Sequence, residues 1–355
     1  GFVNDGLTMG NIAVVTNVGG VLTLTSAGGS ATTAEWQAAL RAITYANTSN
    51  TPNTTPRSVD FVVNDGIDPS NTLTSTINIT ATNDAPVLAT AGNINYAEND
   101  PATAIDTGIT VTDADNATLT GATITITNFV AGQDVLGFVN DGLTMGNIAV
   151  VTNVSGVLTL TSAGGIATTA EWQAALRAVT YANTSEAPDT TARSVDFVVN
   201  DGTDPSNTLT STINITASND VPVIANIETT TLPYAPNGPA VAVTSTLTLS
   251  DADSPNLTGA TVTITGFQAG DVLQFTDTPN ITGVFVAGTL TLTGSDTVAN
   301  YQTALRSITY FSSSQNPAAR TINFQVTDGT DPSNIESRTV GGYAQLVGAT
   351  VNVYG

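Results

Sequence analysis

The sequence predicts an all-β protein made of tandem antiparallel β-sandwich domains, each with one short helix, and three observations predict it. Apolar and polar residues alternate with period two in many short runs, as in Thr123-Ile124-Thr125-Ile126-Thr127. Turn-forming clusters such as Asn-Asp-Gly, Asp-Pro-Ser-Asn and Gly-Gly separate those runs. The chain also repeats itself. Gly1-Phe2-Val3-Asn4-Asp5-Gly6 recurs as Gly137-Phe138-Val139-Asn140-Asp141-Gly142, and Trp36 recurs 136 residues later as Trp172. Roughly ten substitutions separate the two copies over residues 1–87. A third copy is more diverged: Tyr301-Gln302-Thr303-Ala304-Leu305-Arg306 answers Trp172-Gln173-Ala174-Ala175-Leu176-Arg177. Catalysis needs one site built once, whereas reach and multivalency improve with copy number. The repeat therefore points to a structural or adhesive protein.

Each element follows from a local pattern. Val157-Leu158-Thr159-Leu160-Thr161, Thr212-Ile213-Asn214-Ile215-Thr216 and Thr261-Val262-Thr263-Ile264-Thr265 read as strands with one apolar face. Thr169–Ala178 breaks the alternation. Trp172 and Leu176 lie four apart, Thr168 or Thr169 is an N-cap candidate, and Glu171 sits in the first turn, so the segment reads as a helix of two to three turns. Copies fall at Thr33–Ala42 and Val298–Ser307. At helical spacing with Leu40 and Leu176, Trp36 and Trp172 read as core anchors and not as sugar-stacking platforms. Asn4-Asp5-Gly6 and Asn140-Asp141-Gly142 read as hairpin turns, and Arg177 as tied to a carboxylate or backbone carbonyls. Asn-x-Thr sequons such as Asn78-Ile79-Thr80 are expected by chance at this composition.

Domain boundaries fall at the stiff linkers Asn83-Asp84-Ala85-Pro86 and Asn219-Asp220-Val221-Pro222. Residues 1–83 form a partial repeat that lacks the counterpart of 84–136, residues 84–219 a full repeat, and residues 220–355 a repeat with a divergent end after Val340. A sandwich short of that many strands would expose its core, and one donated strand could not replace them. The chain is therefore expected to be a window on a longer polypeptide, and Gly1 opens inside a repeat with no leader sequence to judge.

Composition narrows the chemistry. The chain has no Cys and no His, which excludes disulfides, thiolate or imidazole metal sites and histidine-based triads. Its seven basic residues are all Arg, against 29 acids, for a net charge of −22. That balance opposes nucleic acid and anionic membranes and suits divalent cations. Thr makes up roughly 18% of the chain, and β-branched residues favour pleated surfaces. No run approaches the ~18 apolar residues of a membrane helix.

The acids gather at domain ends. If strands leave each linker downward and return, Asp113, Asp115, Asp201 and Asp204 face the linker above the second domain, beside Asn83 and Asp84. Glu98, Asp100, Glu186 and Asp189 lie at its lower end. Stacking the third domain below brings those four to Asn219 and Asp220, and to Asp251, Asp253, Asp328 and Asp331. So many carboxylates repel unless a cation joins them. Calcium takes about 6–8 oxygen ligands, from carboxylates, Asn side chains and carbonyls, and needs neither His nor Cys.

Asp113-Ala114-Asp115, Asp251-Ala252-Asp253, Glu98-Asn99, Asn83-Asp84, Asn219-Asp220, Asp201-Gly202 and Asp328-Gly329 together carry a resemblance. In order and spacing the chain resembles the cadherin-like tandem domains of large bacterial surface and adhesion proteins, over essentially all of residues 1–340. The resemblance implies an Ig/cadherin-like sandwich, calcium between domains that stiffens a rod, and an extracellular, non-catalytic role. The implied partners are neighbouring repeats of the same protein, and other copies in a fibre.

Departures from the pattern imply graded junctions. The third domain has Pro236-Asn237-Gly238 where the second has Glu98-Asn99-Asp100, with Ser314 and Asn316 near the positions of Glu186 and Asp189. The first has Asn50 and Asn53 in place of that last pair. Junction two–three is thus expected to bind calcium most strongly. Two alternative roles are a polymerising subunit of an extracellular filament and a glycan-binding module. No catalytic constellation emerges, because the paired carboxylates recur in every copy instead of converging on one site.

Overall fold

The computed structural model describes residues 1–341. It consists of β-strands, one 3-10 turn (Ala27–Gly29) and three short α-helices: α1 (Thr33–Arg41), α2 (Thr169–Arg177) and α3 (Val298–Ser307). The divergent C-terminal stretch from Gly342 onward lies outside the described residues.

The second repeat is a complete sandwich. Its larger sheet has six strands in the order 148–154, 157–162, 121–126, 193–200, 209–216 and 93–97. The facing layer holds a three-stranded sheet (134–137, 180–183, 103–104) and the short pairs 87–89 with 110–112 and 118–119 with 167–168. Alternation places Ile124, Leu158, Leu160, Val195, Phe197 and Ile213 in the core between the layers. The third repeat copies this plan: six strands in the order 232–233, 336–341, 320–327, 256–265, 289–297 and 282–286, facing strands 241–242, 309–312 and 271–274.

Pairing is antiparallel with one exception per full repeat. Asn93–Ala97 runs parallel to Leu209–Thr216, and Leu232–Pro233 runs parallel to Glu336–Gly341. The first strand of the second repeat is split. Val87–Ala89 pairs with Thr110–Thr112, and the chain then crosses to the other sheet through Thr90, whose φ is 69°. A left-handed residue turns the backbone there, and the strand resumes at Asn93 in the other sheet.

Helix starts follow local chemistry. Thr168 caps α2 and Glu171 closes a capping box; Thr32 and Glu35 do the same for α1. Thr297 caps α3 without the reciprocal carboxylate, because Asn300 stands in that place. Trp172 is fully buried and its Nε1 donates to the Leu119 carbonyl at 3.0 Å. Tyr301 fills the equivalent place in the third repeat. The expected hairpins at the Asn-Asp-Gly sequences take another form. Strands 134–137 and 148–154 belong to different sheets, so the loop between them is a crossover. Asn140 and Asp141 shape it by accepting from the Gly142, Leu143 and Thr144 N–H groups.

Beneath each full sandwich lies an ion pair. Arg193 meets Asp134 at 2.8 Å with both side chains fully buried, and Tyr181 donates to the same carboxylate at 2.6 Å. Arg320, Asp271 and Tyr310 repeat the arrangement. Burial and the Asp271 carboxylate push the Tyr310 phenol up to about 12.

The first repeat has only part of this. Ile12–Val18 pairs with Val21–Ser26, and Arg57–Phe61 pairs with Leu73–Ile77, but the two hairpins do not pair with each other. The strand that separates their counterparts in the second repeat, Gly121–Ile126, has no equivalent there. Met9, Ile12 and Ala39 form a small core with Trp36 and Leu24 packed against it.

Candidate metal centre

Among the described residues, Glu98, Glu186 and Asp220 bring carboxylate oxygens within 4.8 Å of one another. Glu98 and Glu186 come from the second repeat, and Asp220 from the linker that leads into the third. Glu98 is placed by the parallel strand pair. Its N–H donates to the Thr216 carbonyl at 2.9 Å, which carries the ladder one residue past Ala97 and sets the side chain against the linker. Asn99 then turns in the left-handed region with φ 66°. Glu98 Oε2 accepts from the Ser218 N–H at 2.8 Å, while Oε1 is buried without a partner. Asp220 Oδ2 is likewise buried and unpartnered. Burial, together with the negative charges of Glu186 and Asp253, pushes the Asp220 carboxyl above the ordinary range.

The loops at the top of the third repeat close around the linker. Asp220 N–H donates to Asp253 Oδ1 at 3.3 Å. Asp251 Oδ1 accepts from the Asp253 and Ser254 N–H groups, and its Oδ2 is buried without a partner. Burial pushes Asp251 up, and Asp253 beside it adds to the effect. Asn219 Nδ2 donates to Asp328 at 2.9 Å and to Asp331 at 3.2 Å. Burial would raise Asp328, but the Asp331 and Thr330 N–H groups and the Asn219 amide outweigh it and hold the carboxyl down.

The first junction repeats the upper half of this design. Asn83 Nδ2 donates to Asp201 at 2.8 Å and to Asp204 at 3.0 Å. Asp84 N–H donates to Asp115 Oδ1 at 3.3 Å. Asp113 Oδ2 is buried and unpartnered, and burial pushes that carboxyl up. The lower half differs: Asn50 joins Asp84 and Asp113 around a cavity of about 270 Å³, where the second junction presents Glu186.

Two of the expected lower acids are engaged elsewhere. Asp100 Oδ2 accepts from the Ala97 N–H at 3.0 Å and closes the turn after the strand. Asp189 accepts from the Thr191 N–H at 2.7 Å and lies 3.7 Å from the Arg193 guanidinium; the Thr191 hydroxyl first, then that N–H and Arg193, hold its carboxyl down. Asn116 was not among the expected residues, yet its amide bridges Asn83 and Asp201 at 2.9 and 3.4 Å. Its place directly after Asp113-Ala114-Asp115 was the available signal. At the far end of the third repeat stand Asn237, Ser314 and Asn316, and no carboxylate group of this kind forms there among the described residues.

The donor set fits a hard cation. It is all oxygen, its members come from separate loops, and three buried oxygens at or beside junction two–three have no hydrogen-bond donor: Glu98 Oε1, Asp220 Oδ2 and Asp251 Oδ2. Calcium–oxygen distances of about 2.3–2.6 Å allow ligand oxygens separated by the spacing seen here. Arg177 serves the fold, its Nε donating to the Ile109 carbonyl at 2.7 Å. Trp172, fully buried, offers no face to a sugar.

No protein-family model matches the chain, and no curated protein matches it. Among solved structures, human CDH23 EC21-23 is 16% identical, with 80% of this chain and 73% of that chain covered and a TM-score of 0.33. PcdhgB3 EC1-4 is 15% identical over 81% of this chain, with a TM-score of 0.30; the chain spans 56% of its length. Protocadherin Gamma B2 extracellular cadherin domains 3-6 are 16% identical, with 81% and 59% covered and a TM-score of 0.27. Identities this low bear on the fold alone, and TM-scores this low add nothing to the sheets described above. Among the described residues, no helix is long and apolar enough to cross a membrane.

Proposed function

We propose that this chain is a structural and adhesive repeat region of an extracellular bacterial surface protein or matrix fibre, whose domain junctions are locked by calcium. The convergence of Glu98, Glu186 and Asp220 across the second linker, with unpartnered buried oxygens on Glu98 and Asp220, carries this reading. Glu98 and Glu186 come from the second repeat, and Asp220 from the linker that leads into the third. A cation shared by them is bound only while the two repeats are aligned. Binding therefore stabilises alignment by RT ln(1 + [L]/Kd), about 2.7 kcal/mol when free calcium is about 100 times Kd. Asp84, Asp113 and Asp115, with Asp201 and Asp204 behind them, would hold a weaker site at the first linker, where Asn50 supplies a neutral oxygen. The bacterial setting rests on the sequence resemblance.

Thermal melts and small-angle scattering with calcium and with chelator test the reading. Calcium is expected to raise the melting temperature and lengthen the particle. The substitution Glu186→Gln is expected to weaken both effects. Identical melts and identical scattering in calcium and chelator would overturn it.

A further inference from the structure

Three carboxylates meet at junction two–three, and they are not held there by the same means. Glu98 is fixed by its bonds to Thr216 and Ser218, and Asp220 by its N–H bond to Asp253. Glu186 has no such bond. It is exposed, its carboxylate accepts no hydrogen bond among the described residues, and both of its neighbours carry its own charge. Like charges this close push an exposed side chain toward water. What keeps Glu186 in the group is therefore the backbone beneath it.

That backbone is the loop 184–192, which has no helix or strand and in which only Pro188 is buried. Packing alone does not fix it. Hydrogen bonds from two adjacent residues do. Gln133 takes the loop at two points: its carbonyl accepts from the Thr184 N–H at 2.9 Å, and its Oε1 from the Asp189 N–H at 2.9 Å. Asp134 holds it through two side chains. On one side Asp134 Oδ1 accepts from Asn183 Nδ2 at 3.4 Å, and Asn183 Oδ1 accepts from the Ser185 N–H at 2.9 Å, one residue before Glu186. On the other, Asp134 Oδ2 accepts from Arg193 Nε at 2.8 Å, and the far end of the guanidinium donates to the Thr191 and Asp189 carbonyls. Asp134, Asn183 and Arg193 are all buried, so water does not compete for these bonds.

The third repeat has the same anchor without the acid. Arg320 pairs with Asp271 and donates to the Asn316 and Ala318 carbonyls. Ser312, also bonded to Asp271, accepts from the Ser314 N–H. Ser314 stands near the position of Glu186. The anchor is thus a standing part of the sandwich, and the acid is what the second repeat adds to it.

We infer that Arg193 is a positioning residue for junction two–three: by clamping the loop 184–192 onto Asp134, it presents Glu186 to Glu98 and Asp220 independently of the cation. This rests on the calcium reading above and deepens it, because it ties the affinity of the site to a buried ion pair that touches none of the three acids. A loop already ordered costs the cation nothing to arrange. Lysine in place of Arg193 keeps a positive charge beside Asp134. It cannot reach that carboxylate and two carbonyls at once, because only the planar fork spans them.

Calcium titration of the full chain by calorimetry tests this, with the second-junction site identified as the one that Glu186→Gln weakens. Arg193→Lys is expected to weaken that site about tenfold. Gln133→Ala, at a half-buried position that leaves the ion pair intact, is expected to act in the same direction and carries the test if Arg193→Lys does not fold. Arg320→Lys makes the same change beneath a loop without the acid and is expected to leave the site unchanged. In a Glu186→Gln background, Arg193→Lys is expected to have no further effect. With chelator in place of calcium, amide exchange at Ser185 and Asp189 is expected to quicken about tenfold in Arg193→Lys. Unchanged calcium affinity in both variants, or unchanged exchange of the loop in chelator, overturns the inference. An equal loss in Arg320→Lys reduces the clamp to general stability and overturns it, as does a full further loss in the Glu186→Gln background, where Arg193 then acts by another route. Failure of the unaltered chain to bind calcium overturns the calcium reading and this inference with it, whereas normal binding with unmoved variants overturns this inference alone.

Discussion

Residues 57–66 and 193–202 carry the same ten residues and end in different surroundings. In the second repeat, Arg193, Val195, Phe197 and Val199 are buried, facing Asp134 and the apolar core. In the first, Arg57, Val59 and Phe61 are half-buried and Val63 is exposed. Strand geometry is not the difference. Arg57 pairs with Ile77 and Phe61 with Leu73, as Arg193 pairs with Ile213 and Phe197 with Leu209. The same holds at the first hairpin, where both copies carry the same register and a bulge at the same place. Hairpin register and the helix are thus properties of short stretches, whereas burial, strand length and the strand at Thr180–Asn183, which has no counterpart at 44–47, depend on what lies across the sandwich.

Substitutions at matched positions measure that gap. Trp172→Ala is expected to cost about 3–5 kcal/mol, because it empties a fully buried site, while Trp36→Ala, at a half-buried one, costs about 1 kcal/mol or less. Denaturant melts combined with amide exchange resolve the two repeats. Equal losses would mean that the first repeat is closed in solution. Arg193→Ala should also cost about 3–5 kcal/mol by stranding the buried Asp134 carboxylate, and Arg57→Ala less than about 1 kcal/mol, since no acid faces it.

The two junctions extend the comparison. Asn50→Glu restores the acid that Glu186 provides at the second linker, and calorimetry is expected to show about tenfold tighter calcium binding there, or about 1.4 kcal/mol. Unchanged binding would mean that Asn50 does not reach the ion. The smallest expected difference lies in the Asn-Asp-Gly loops. Asp5 and Asp141 are both held at about 2, first by the Thr8 and Thr144 hydroxyls and then by nearby N–H groups. Their folded pKa is below the ordinary 3.8, so their contribution is present above that value and is lost as pH falls toward about 2. NMR titration should find the two carboxylates alike to within a few tenths of a unit. A clear separation would show that the differing surroundings of the two copies reach even this loop.

Much of the carboxylate cluster at the second junction was legible in the sequence, because acids that recur at strand ends mark the ends of a sandwich. Glu98, Glu186 and Asp220 were all expected at the second junction, and they converge there. Asp100 and Asp189 carry the same kind of charge at neighbouring positions, but local N–H groups and Arg193 engage them. Sequence spacing places a carboxylate to within a few residues; it does not say which donors reach it first. The parallel pairing that seats Glu98 was also hidden, because alternation reports which face a residue takes and not the direction of its neighbour.

By itself the sequence determined the repeat, the helix caps, the hairpin registers and the Asx turns. Each of these is made by groups a few residues apart along the chain or across one hairpin. Thr32 and Thr168 cap their helices with φ/ψ angles within a degree of each other, although one repeat is open and the other closed. Only the tertiary structure decided which copy of the tryptophan is buried, which arginine finds an acid and which carboxylates meet. Those outcomes depend on surface taken from water by a segment distant in the chain, and two nearly identical sequences with and without that segment reach different ends.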